Sequence, residues 1–366
     1  MKSVLLVLGT RPEAIKMAPL LLTLRACPTL SPKLLHTAQH ETMADRALSA
    51  FGITPDLRLP SPPTKRTHAE LTAHLLTHLS AVLKQERPDL VLVHGDTASA
   101  HAASLACFYE QIPTAHIEAG LRSGSLTSPF PEEYNRRAIA LTASLHFAPT
   151  EKARENLLGE GVREDRIFVV GNTGIDALRY TVRTDFDHPL LHAAKGKRIL
   201  LFTAHRQENQ GAPMERMLRA LKRLTENHED TVAILPMHPN PAVQSTVKKL
   251  LSGIPRILLT DPMEVSVCHN LLSRTTLLLT DSGGLQEEAA ALGIPTLVMR
   301  DHTERSEGLA DTGGSLFLVG REEEPIFSAA HHLLTNPAAY TQATKKSTAF
   351  GDGHASERIA ALLCSL

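Results

Sequence analysis

The sequence lacks long hydrophobic runs and any excess of charge of one sign. No apolar stretch in the 366 residues approaches the roughly 20 residues that a membrane-spanning helix needs. Lys and Arg total 38, whereas Asp and Glu total 39, so the charge balance gives no support for a protein that binds nucleic acid or an anionic membrane. We therefore expect neither nucleic acid nor a membrane among the partners.

Cysteines are also few, and they form no closely spaced pair. The four residues are Cys27, Cys107, Cys268 and Cys364, which we interpret as free buried thiols in a reducing cytoplasm. The sequence has no HExxH motif and no Cys/His set with metal-ligand spacing, so no metal site is expected. The first apolar stretch spans about six residues, shorter than the roughly 7–15 of a secretion signal, and is interpreted as a buried strand.

Short Leu- and Val-rich runs alternate with helical periodicity along the chain. Because these runs are continuous, the strands are predicted to be buried on both faces, as in parallel sheets covered by helices. Two domains are expected from the length of the chain, joined near 175–195. The predicted strands form two series: 4–10, 90–97, 113–120, 145–150 and 166–173, then 198–206, 231–238, 256–261, 276–284, 296–301 and 315–320.

Many of these predicted strands end in polar or small residues. The endings include "GTR", "GDT", "EAG", "TAHR", "PMHP" and "TDSGG". In open parallel sheets, ligands bind beyond the carboxyl ends of the strands. We therefore predict an α/β fold in which two such sheets face a central cleft that holds the functional site.

Carboxylates follow two of the predicted strands. Asp96 ends one strand and Glu118 ends the next, while "SPFPEEYNRR" adds Glu132 and Glu133. Buried carboxylates that lie close together can have separated pKa values and act as acid and base. The alternative is a structural role, since an Asp after a strand is often a helix N-cap, and this alternative is weaker for Glu118.

Cationic residues and histidines follow other strands. Arg11 and Lys16 start a helix and predict an anion pocket, although a solvated helix start is the alternative. His205, with Arg206 beside it, and His238 end two strands of the second series. The sequence has no GxGxxG, so a dinucleotide fingerprint is not present.

The stretch 277–301 combines a glycine turn with a helix start. The backbone of Gly283 and Gly284 can approach phosphate oxygens, with assistance from the Ser282 hydroxyl. Glu288, one turn later, can accept hydrogen bonds from two ribose hydroxyls, whereas Glu287 is expected to face solvent or to pack. These residues predict an enzyme that binds a nucleotide sugar, without choosing its reaction.

The motifs together resemble the non-hydrolysing UDP-N-acetylglucosamine 2-epimerases. The resemblance spans nearly the whole chain and implies two Rossmann-like αβα domains of GT-B type, here 1–175 with a returning helix at 351–366, and a UDP-binding domain at 176–350. It also implies a homodimer that needs no NAD and no metal. The motifs are "GTRPEAIKMAP", "VLVHGDT", "HIEAGLRS", "SPFPEEYNR", "HFAPTE", "GNTGIDAL", "TAHRQEN", "LTDSGGLQEEA", "RDHTERSEG" and "GDGHASERI".

The resemblance implies a reaction and assigns residues to it. Members interconvert UDP-GlcNAc and UDP-ManNAc by eliminating UDP to form 2-acetamidoglucal and adding it back after reprotonation at C2. The matching catalytic positions are Asp96, Glu118, Glu132 and His205. The matching substrate-binding positions add Arg11, Lys16, Ser282, Gly283, Gly284, Glu288 and Arg305, together with Cys268, where the family often has an aromatic residue near uracil.

Family members activated by a second UDP-GlcNAc carry a Gln-His-x-x-Gln-like stretch. Here "AQHETM" keeps Gln39 but has Thr42, so the stretch departs from the pattern. Arg66, Arg206 and His238 are the further residues that would complete such an allosteric site.

Three other functions stay open on the sequence alone. A UDP-sugar glycosyltransferase of the same architecture would need an acceptor site, and no basic-apolar stretch for a lipid acceptor is visible. A 2-epimerase for a related UDP-diacetamido-uronic acid is not distinguished by these motifs. A nucleotide-sugar sensor without activity is disfavoured, because binding alone does not require three carboxylates.

Overall fold

In a computed structural model of the chain, the described residues are 1–127, 129–238, 240–303, 305–309 and 314–365. They divide into two compact units. Unit 1 comprises Met1–Tyr180 and Gly351–Leu366, and unit 2 comprises Thr181–Phe350. Unit 2 is therefore inserted, in sequence, between the two segments of unit 1.

Unit 1 is built from a parallel sheet and the helices that connect its strands. Its strands are β1 (Lys2–Leu8), β2 (Leu30–His36), β3 (Leu57–Arg58), β4 (Leu90–His94), β5 (Thr114–Ile117), β6 (Leu145–Ala148) and β7 (Ile167–Val169). Its helices are α1 (Arg11–Arg25), α2 (Glu41–Ser49), α3 (His68–Glu86), α4 (Ala98–Tyr109), α5 (Glu132–Thr142), α6 (Glu151–Gly159) and α7 (Thr173–Thr181), which ends at the first residue of unit 2, with α15 (Ala355–Ser365) completing the unit.

The strand order in unit 1 is β3-β2-β1-β4-β5-β6-β7, with parallel pairing throughout. Each face of the sheet packs against its own hydrophobic core. The strand order reverses between β1 and β4, so the connections that leave these two strands diverge to opposite faces. Such a switch point leaves a crevice at the carboxyl ends of the strands, where ligands bind in doubly wound sheets.

Unit 2 repeats this plan with six parallel strands in the order β10-β9-β8-β11-β12-β13, and its switch point lies between β8 and β11. Its strands are β8 (Arg198–Thr203), β9 (Thr231–Pro236), β10 (Ile257–Thr260), β11 (Leu277–Thr280), β12 (Thr296–Val298) and β13 (Leu316–Leu318). Its helices are α8 (Pro189–Ala193), α9 (Ala212–Asn227), α10 (Pro241–Leu251), α11 (Val265–Leu272), α12 (Gly283–Leu292), α13 (Glu323–Thr335) and α14 (Pro337–Ala343).

The prediction of two parallel-sheet α/β units is confirmed, and every predicted strand is present: β1 is shifted two residues toward the N-terminus, and the others are shorter than predicted. The sequence prediction did not include β2 and β3. In β2 the apolar run is interrupted by Pro32 and Lys33, and β3 has only two residues. Pairing with β1 along its whole length makes β2 a strand despite this weak local pattern.

The C-terminal helix α15 packs on α1 within unit 1. Ile359, Ala360 and Leu363 belong to the same core cluster as Leu20 and Leu24 of α1. The carboxylate of Asp176, on α7, accepts the backbone N–H groups of Ala355 (3.2 Å) and Ser356 (2.6 Å) and so caps the start of α15. Of the helices within the described residues, none is both long and apolar enough to span a membrane.

The cysteines differ in part from the expectation of four free thiols. Cys27, just after α1, and Cys364, in α15, are joined as a disulfide, so the expectation was wrong for this pair. Their juxtaposition follows from the packing of α15 on α1, which a separation of 337 residues conceals in the sequence. Cys107 and Cys268 form no disulfide bond within the described residues, and burial raises the pKa of the Cys107 thiol to about 12.

Candidate active site

Glu118 lies immediately after β5 in a backbone conformation that is unusual for its residue type. Its φ is 63°, in the left-handed region that non-glycine residues rarely adopt. The carboxylate contacts Lys16 Nζ in an ion pair and accepts a hydrogen bond from Asn172 Nδ2 at 2.9 Å. Such strained conformations cluster at functional sites, where surrounding contacts hold them in place.

His94, at the end of β4, lies next to the Glu118 carboxylate. Its Nε2 is 3.8 Å from Glu118 Oε2, and the ring is buried. Burial lowers the pKa of His94 to about 4, and Lys16 adds to the effect while Glu118 opposes it. His94 is therefore neutral near pH 7, which leaves Lys16 as the cation beside Glu118.

Asp96 is two residues beyond β4 and is held by Arg136 of α5. The guanidinium Nε donates to Asp96 Oδ2 at 3.0 Å, and Nη2 contacts the same oxygen. Burial raises the pKa of Asp96; Arg136 opposes this effect, whereas Glu118 and Glu132 reinforce it. The N-cap of α4 is Thr97, so the alternative of Asp96 as a helix cap does not hold.

Glu132 is the first residue of α5 and is half-buried. Its negative charge acts on Asp96, as does that of Glu118, so Asp96 lies within electrostatic reach of both carboxylates in unit 1. The neighbouring Glu133 is fully buried and accepts hydrogen bonds from Arg136 Nη1 (3.3 Å) and Arg137 Nε (3.0 Å). Glu133 thereby orients the arginine that holds Asp96, and its role is positional.

The β1–α1 and β4–α4 loops of unit 1 are joined through Glu13. Its buried carboxylate accepts the N–H groups of Gly9 (3.0 Å) and Thr10 (2.8 Å), the Thr10 hydroxyl (2.8 Å) and the Thr97 hydroxyl (2.6 Å). Burial raises the pKa of Glu13 to about 7 although these donors lower it. Arg11, the first residue of α1, and Lys16, one turn later, both lie on the helix that Glu13 anchors.

The corresponding loops of unit 2 are joined through Asp281, which follows β11. Its fully buried carboxylate accepts the backbone N–H groups of His205 and Arg206, and Nδ1 of His205 lies 3.0 Å from Oδ1. Burial opposes ionisation, but the bonds from His205, Arg206 and Asn209 outweigh it and lower the pKa of Asp281. Burial lowers the pKa of His238, and the His205 imidazole contributes further to this shift.

The N-terminus of α12 lies under an arginine side chain. A Cβ added to Gly283 would be 2.5 Å from Arg305 Cζ, so any other residue at this position would displace the guanidinium from where it lies. Ser282 is the N-cap, and within this described turn its side chain makes no capping hydrogen bond. Arg305 Nε donates to Glu287 at 2.8 Å, so Glu287 is a buried partner of Arg305 rather than the expected solvent-facing or packing residue.

Glu288 is buried one turn into α12 beside His269. The His269 Nε2 lies 3.4 Å from Glu288 Oε2, and its Nδ1 is 2.7 Å from the Thr181 hydroxyl. Glu288 Oε2 is buried and makes no hydrogen bond among the described residues. This oxygen therefore suits a ligand hydroxyl. Cys268, adjacent to His269 in α11, is partly exposed.

The five residues of the predicted allosteric site are divided between the units. In unit 1, Gln39 Oε1 accepts from Ser99, and the Gln39 carbonyl accepts from Arg66 Nη2 at 3.0 Å. Thr42 lies exposed on α2. Arg206 and His238 lie in unit 2 with His205, so within each unit only part of the predicted set is brought together.

Several residues of these networks were missed by the sequence analysis. Glu13 was detectable, because Thr10 and Glu13 form the S/T-x-x-E capping-box pattern. The roles of Arg136 and Asn172 depend on contacts over 40 and 54 positions, and no local pattern marks them. No group of three or more His, Cys, Asp or Glu residues in the described part of the chain is arranged to hold a metal ion.

Comparison with known proteins places this arrangement among sugar-nucleotide enzymes. The family model of UDP-N-acetylglucosamine 2-epimerase matches residues 22–364. The chain is 48% identical to the UDP-N-acetylglucosamine 2-epimerase of Bacillus subtilis (strain 168), over 97% of this chain and 93% of that protein. Two solved structures are also similar. UDP-GlcNAc 2-epimerase from Neisseria meningitidis bound to UDP-GlcNAc has a TM-score of 0.93 at 39% identity, with 100% of both chains covered. S. aureus MnaA with UDP has a TM-score of 0.92 at 43% identity, covering 98% of this chain and 95% of that one.

Proposed function

Because the chain belongs to the UDP-N-acetylglucosamine 2-epimerase family, we propose that it interconverts UDP-GlcNAc and UDP-ManNAc. The observation that carries the proposal is a set of three carboxylates in unit 1, in which Asp96 lies within electrostatic reach of both Glu118 and Glu132. Binding a nucleotide sugar does not require such a set, whereas moving a proton to and from carbon does.

The proposed reaction is an elimination followed by an addition. A carboxylate removes the C2 proton, the C1–O bond breaks, and UDP departs with the bonding electrons, which leaves 2-acetamidoglucal. A second acid then delivers a proton to the opposite face of C2, and a UDP oxygen forms the new bond at C1. The net change is an inversion at C2, so no oxidant, metal or nicotinamide is consumed.

Residues of unit 1 are proposed to carry out the proton transfers. Lys16 and Asn172 hold the Glu118 carboxylate in place through an ion pair and a hydrogen bond, which suits it to accept or return a proton. The raised pKa of Asp96 suits a group that is protonated for part of the cycle. The assignment of each carboxylate to a face of C2 is left open, and Glu118 and Glu132 are both proposed to be needed.

Unit 2 is proposed to be the UDP-binding domain. The turn at Ser282, Gly283 and Gly284 offers helix N–H groups to the diphosphate, and Arg305 above it adds a fixed positive charge. The unbonded Oε2 of Glu288 is suited to ribose hydroxyls. Cys268 would border the base, and Arg11 and His205 would stabilise the departing diphosphate.

The test is proton NMR of UDP-GlcNAc alone with the purified protein in D₂O. We expect the UDP-ManNAc anomeric signal to appear and deuterium to replace the C2 proton in both epimers. Epimer formation without an acceptor would exclude a glycosyltransferase, and repeating the assay with a UDP-diacetamido-uronic acid would identify the preferred sugar. Ligand binding by calorimetry with no C2 exchange over a long incubation would refute the proposal and support a sensor.

A homodimer is proposed from an apolar surface of unit 1. Phe108 and Tyr109 on α4, and Tyr134 and Leu141 on α5, are each more than half exposed. A groove of about 480 Å³ that includes Phe130 lies beside them. Large exposed apolar patches mark interaction surfaces. Sedimentation of the wild type and of Leu141→Arg tests this, since the variant should shift toward monomer.

Two further parts of the proposal concern regulation and location. A second UDP-GlcNAc is proposed as an activator through Gln39, Thr42, Arg66, Arg206 and His238. The rate at which UDP-ManNAc is converted to UDP-GlcNAc should depend sigmoidally on added UDP-GlcNAc, and a hyperbolic dependence would oppose the proposal.

The proposed location is the cytoplasm, because nucleotide sugars are made there, and cell fractionation tests it.

A further inference from the structure

The loop after β8 folds around a single carboxylate, that of Asp281. Asp281 Oδ2 accepts the backbone N–H groups of His205 at 3.0 Å and Arg206 at 2.9 Å, and Asn209 Nδ2 at 2.9 Å. Asp281 follows β11, so its position is set by the central strand next to β8. The loop that carries His205 is therefore fixed to the sheet of unit 2.

The same carboxylate contacts the imidazole of His205. Asp281 Oδ1 lies 3.0 Å from Nδ1 of His205, while 47% of the His205 side chain is exposed. An ionised carboxylate can only accept hydrogen bonds, so the proton of this pair belongs to Nδ1. Nε2 is then the nitrogen that Asp281 does not engage.

We infer that Asp281 is a positioning residue for His205: its carboxylate holds the Nδ1–H form of the ring and presents Nε2 for contact with the substrate. The pairing itself follows from the contacts above, and its consequence for turnover rests on the proposed function. In that function the Nε2–H of an imidazolium donates to a phosphate oxygen of departing UDP, and the Asp281 carboxylate stabilises the imidazolium.

The charges around His205 give Asp281 a second effect. Two further cationic or titratable groups lie near this pair within unit 2: His238, from the β9–α10 connection, and Arg206, on the same loop as His205. Both disfavour an additional positive charge on His205 when they are charged. Asp281, whose own pKa is lowered by its bonds to this loop, supplies the compensating negative charge.

The experiment is ¹⁵N NMR of histidine side chains in the full-length protein, with His205→Gln used to assign the His205 signals. In the wild type, neutral His205 should carry its proton on Nδ1. In Asp281→Asn the neutral ring should lose this preference, because an amide can donate a hydrogen bond to Nδ1 as well as accept one from it. The neutral ring should then also populate the Nε2–H form.

Asn209→Ala is the matched control. It removes a hydrogen bond to Asp281 Oδ2 but leaves the contact of Asp281 Oδ1 with the His205 ring, so the tautomer of His205 should stay as in the wild type. If Asp281 were only structural, both variants would lower kcat with no change in the His205 tautomer. We expect Asp281→Asn alone to change the tautomer, together with a loss of kcat of about 10- to 100-fold.

Two outcomes would overturn the inference. One is a wild-type His205 whose neutral form carries the proton on Nε2, a result that stands even if Asp281→Asn does not fold. The other is a folded Asp281→Asn protein in which the tautomer of His205 is unchanged. Lack of epimerase activity in the wild type would refute the proposed function instead, and the NMR result would still decide the pairing.

Discussion

In both units several candidate residues follow the two central strands at which the strand order reverses, β1 and β4 in unit 1 and β8 and β11 in unit 2, whereas Glu118 follows β5 and Arg305 follows β12. Each pair of loops is also joined by one buried carboxylate, Glu13 in unit 1 and Asp281 in unit 2. The surroundings of these two carboxylates differ. Burial raises the pKa of Glu13, whereas hydrogen bonds from His205 and its loop lower the pKa of Asp281.

The difference extends to the charges beside these loops. Unit 1 gathers carboxylates and compensates them with Lys16 and Arg136. Unit 2 gathers groups that attract anions, namely the start of α12 and Arg305, and uses Glu287 to orient the arginine. In the proposed function the same strand order serves proton transfer in one unit and anion binding in the other, and the difference lies in the residues at the strand ends and on the helices that follow them.

The largest predicted effect comes from removing proton transfer in unit 1. Glu118→Gln should lower kcat by about 10³-fold, or about 4 kcal/mol, because an amide cannot accept the C2 proton. UDP affinity, which we assign to unit 2, should change by less than about threefold. Turnover and C2 deuteration by NMR, with calorimetry for UDP, measure both. Glu151→Gln, at an exposed site on α6, is the control.

Glu132→Gln is predicted to lose C2 exchange in the same assay. If both Gln variants incorporated deuterium at C2 at the wild-type rate, the assignment of proton transfer to these two carboxylates would be wrong. Asp96 would then be the remaining carboxylate candidate in unit 1.

The complementary change in unit 2 should affect affinity first. Arg305→Gln is expected to weaken UDP binding by about 100-fold, since it removes a charge-assisted contact and exposes the ligand to the Glu287 charge. Adding Glu287→Gln should recover part of the loss. Calorimetry with UDP decides this, and an equal loss in the single and double variants would show that Glu287 acts only through Arg305.

The acid stability of unit 1 provides a third test. His94, His116 and His146 lie on neighbouring strands, and burial lowers their pKa values to about 4, 3 and 4. Unfolded histidine binds a proton near pH 6.5, so the stability that these residues contribute is present above that pH and is lost as pH falls toward 4. Each histidine should lower the free energy of unfolding by about 1–2 kcal/mol between pH 6.5 and pH 5.

Glu13 acts in the opposite direction over the same window. Its pKa is raised to about 7 in the folded state, so its contribution is present below pH 4.5 and is lost as pH rises through 7. Its gain in stability between pH 7 and pH 5 should offset the loss that is expected from about one of the three histidines. Urea unfolding from pH 7 to pH 5 measures the net loss; His116→Gln should flatten the dependence and the exposed His332→Gln should not. A flat wild-type profile would contradict the prediction.

The smallest predicted effect concerns the charge balance at Asp96. Arg136→Gln should raise the Asp96 pKa further and move the acid limb of kcat/KM up by about one pH unit, because the compensating guanidinium is lost. Arg137→Gln is a close control, since Arg137 also bonds to Glu133 but, within the described contacts, not to Asp96. Equal shifts in the two variants would mean that Glu133, rather than Asp96, responds.

The positions of the site were more predictable from sequence than their interactions. Asp96, Glu118 and His205 follow apolar runs, and a strand end in a parallel sheet has a known use, so these residues could be found locally. The ion pair of Asp96 with Arg136 and the pairing of His205 with Asp281 join residues 40 and 76 positions apart. Such pairs depend on helix packing and strand order, which the sequence pattern does not specify.

The prediction for Glu287 shows the same limit in a single residue. A charged residue in a helix is usually solvated, and the helical pattern around Glu287 does not indicate otherwise. Only the fold brings Arg305 across the start of α12 and buries the pair. The prediction of free thiols was wrong for a similar reason, since Cys27 and Cys364 meet through the packing of two helices at distant positions in the chain.

The return of α15 to unit 1 has a consequence for synthesis on the ribosome. The apolar side of α1 that receives Ile359 and Leu363 is made early, but its cover follows the roughly 170 residues of unit 2, which take on the order of 10–30 s to translate. During that interval unit 1 presents an uncovered apolar strip to the surroundings of the nascent chain. Unit 2, although later in the sequence, is the first of the two to have all of its residues available for folding.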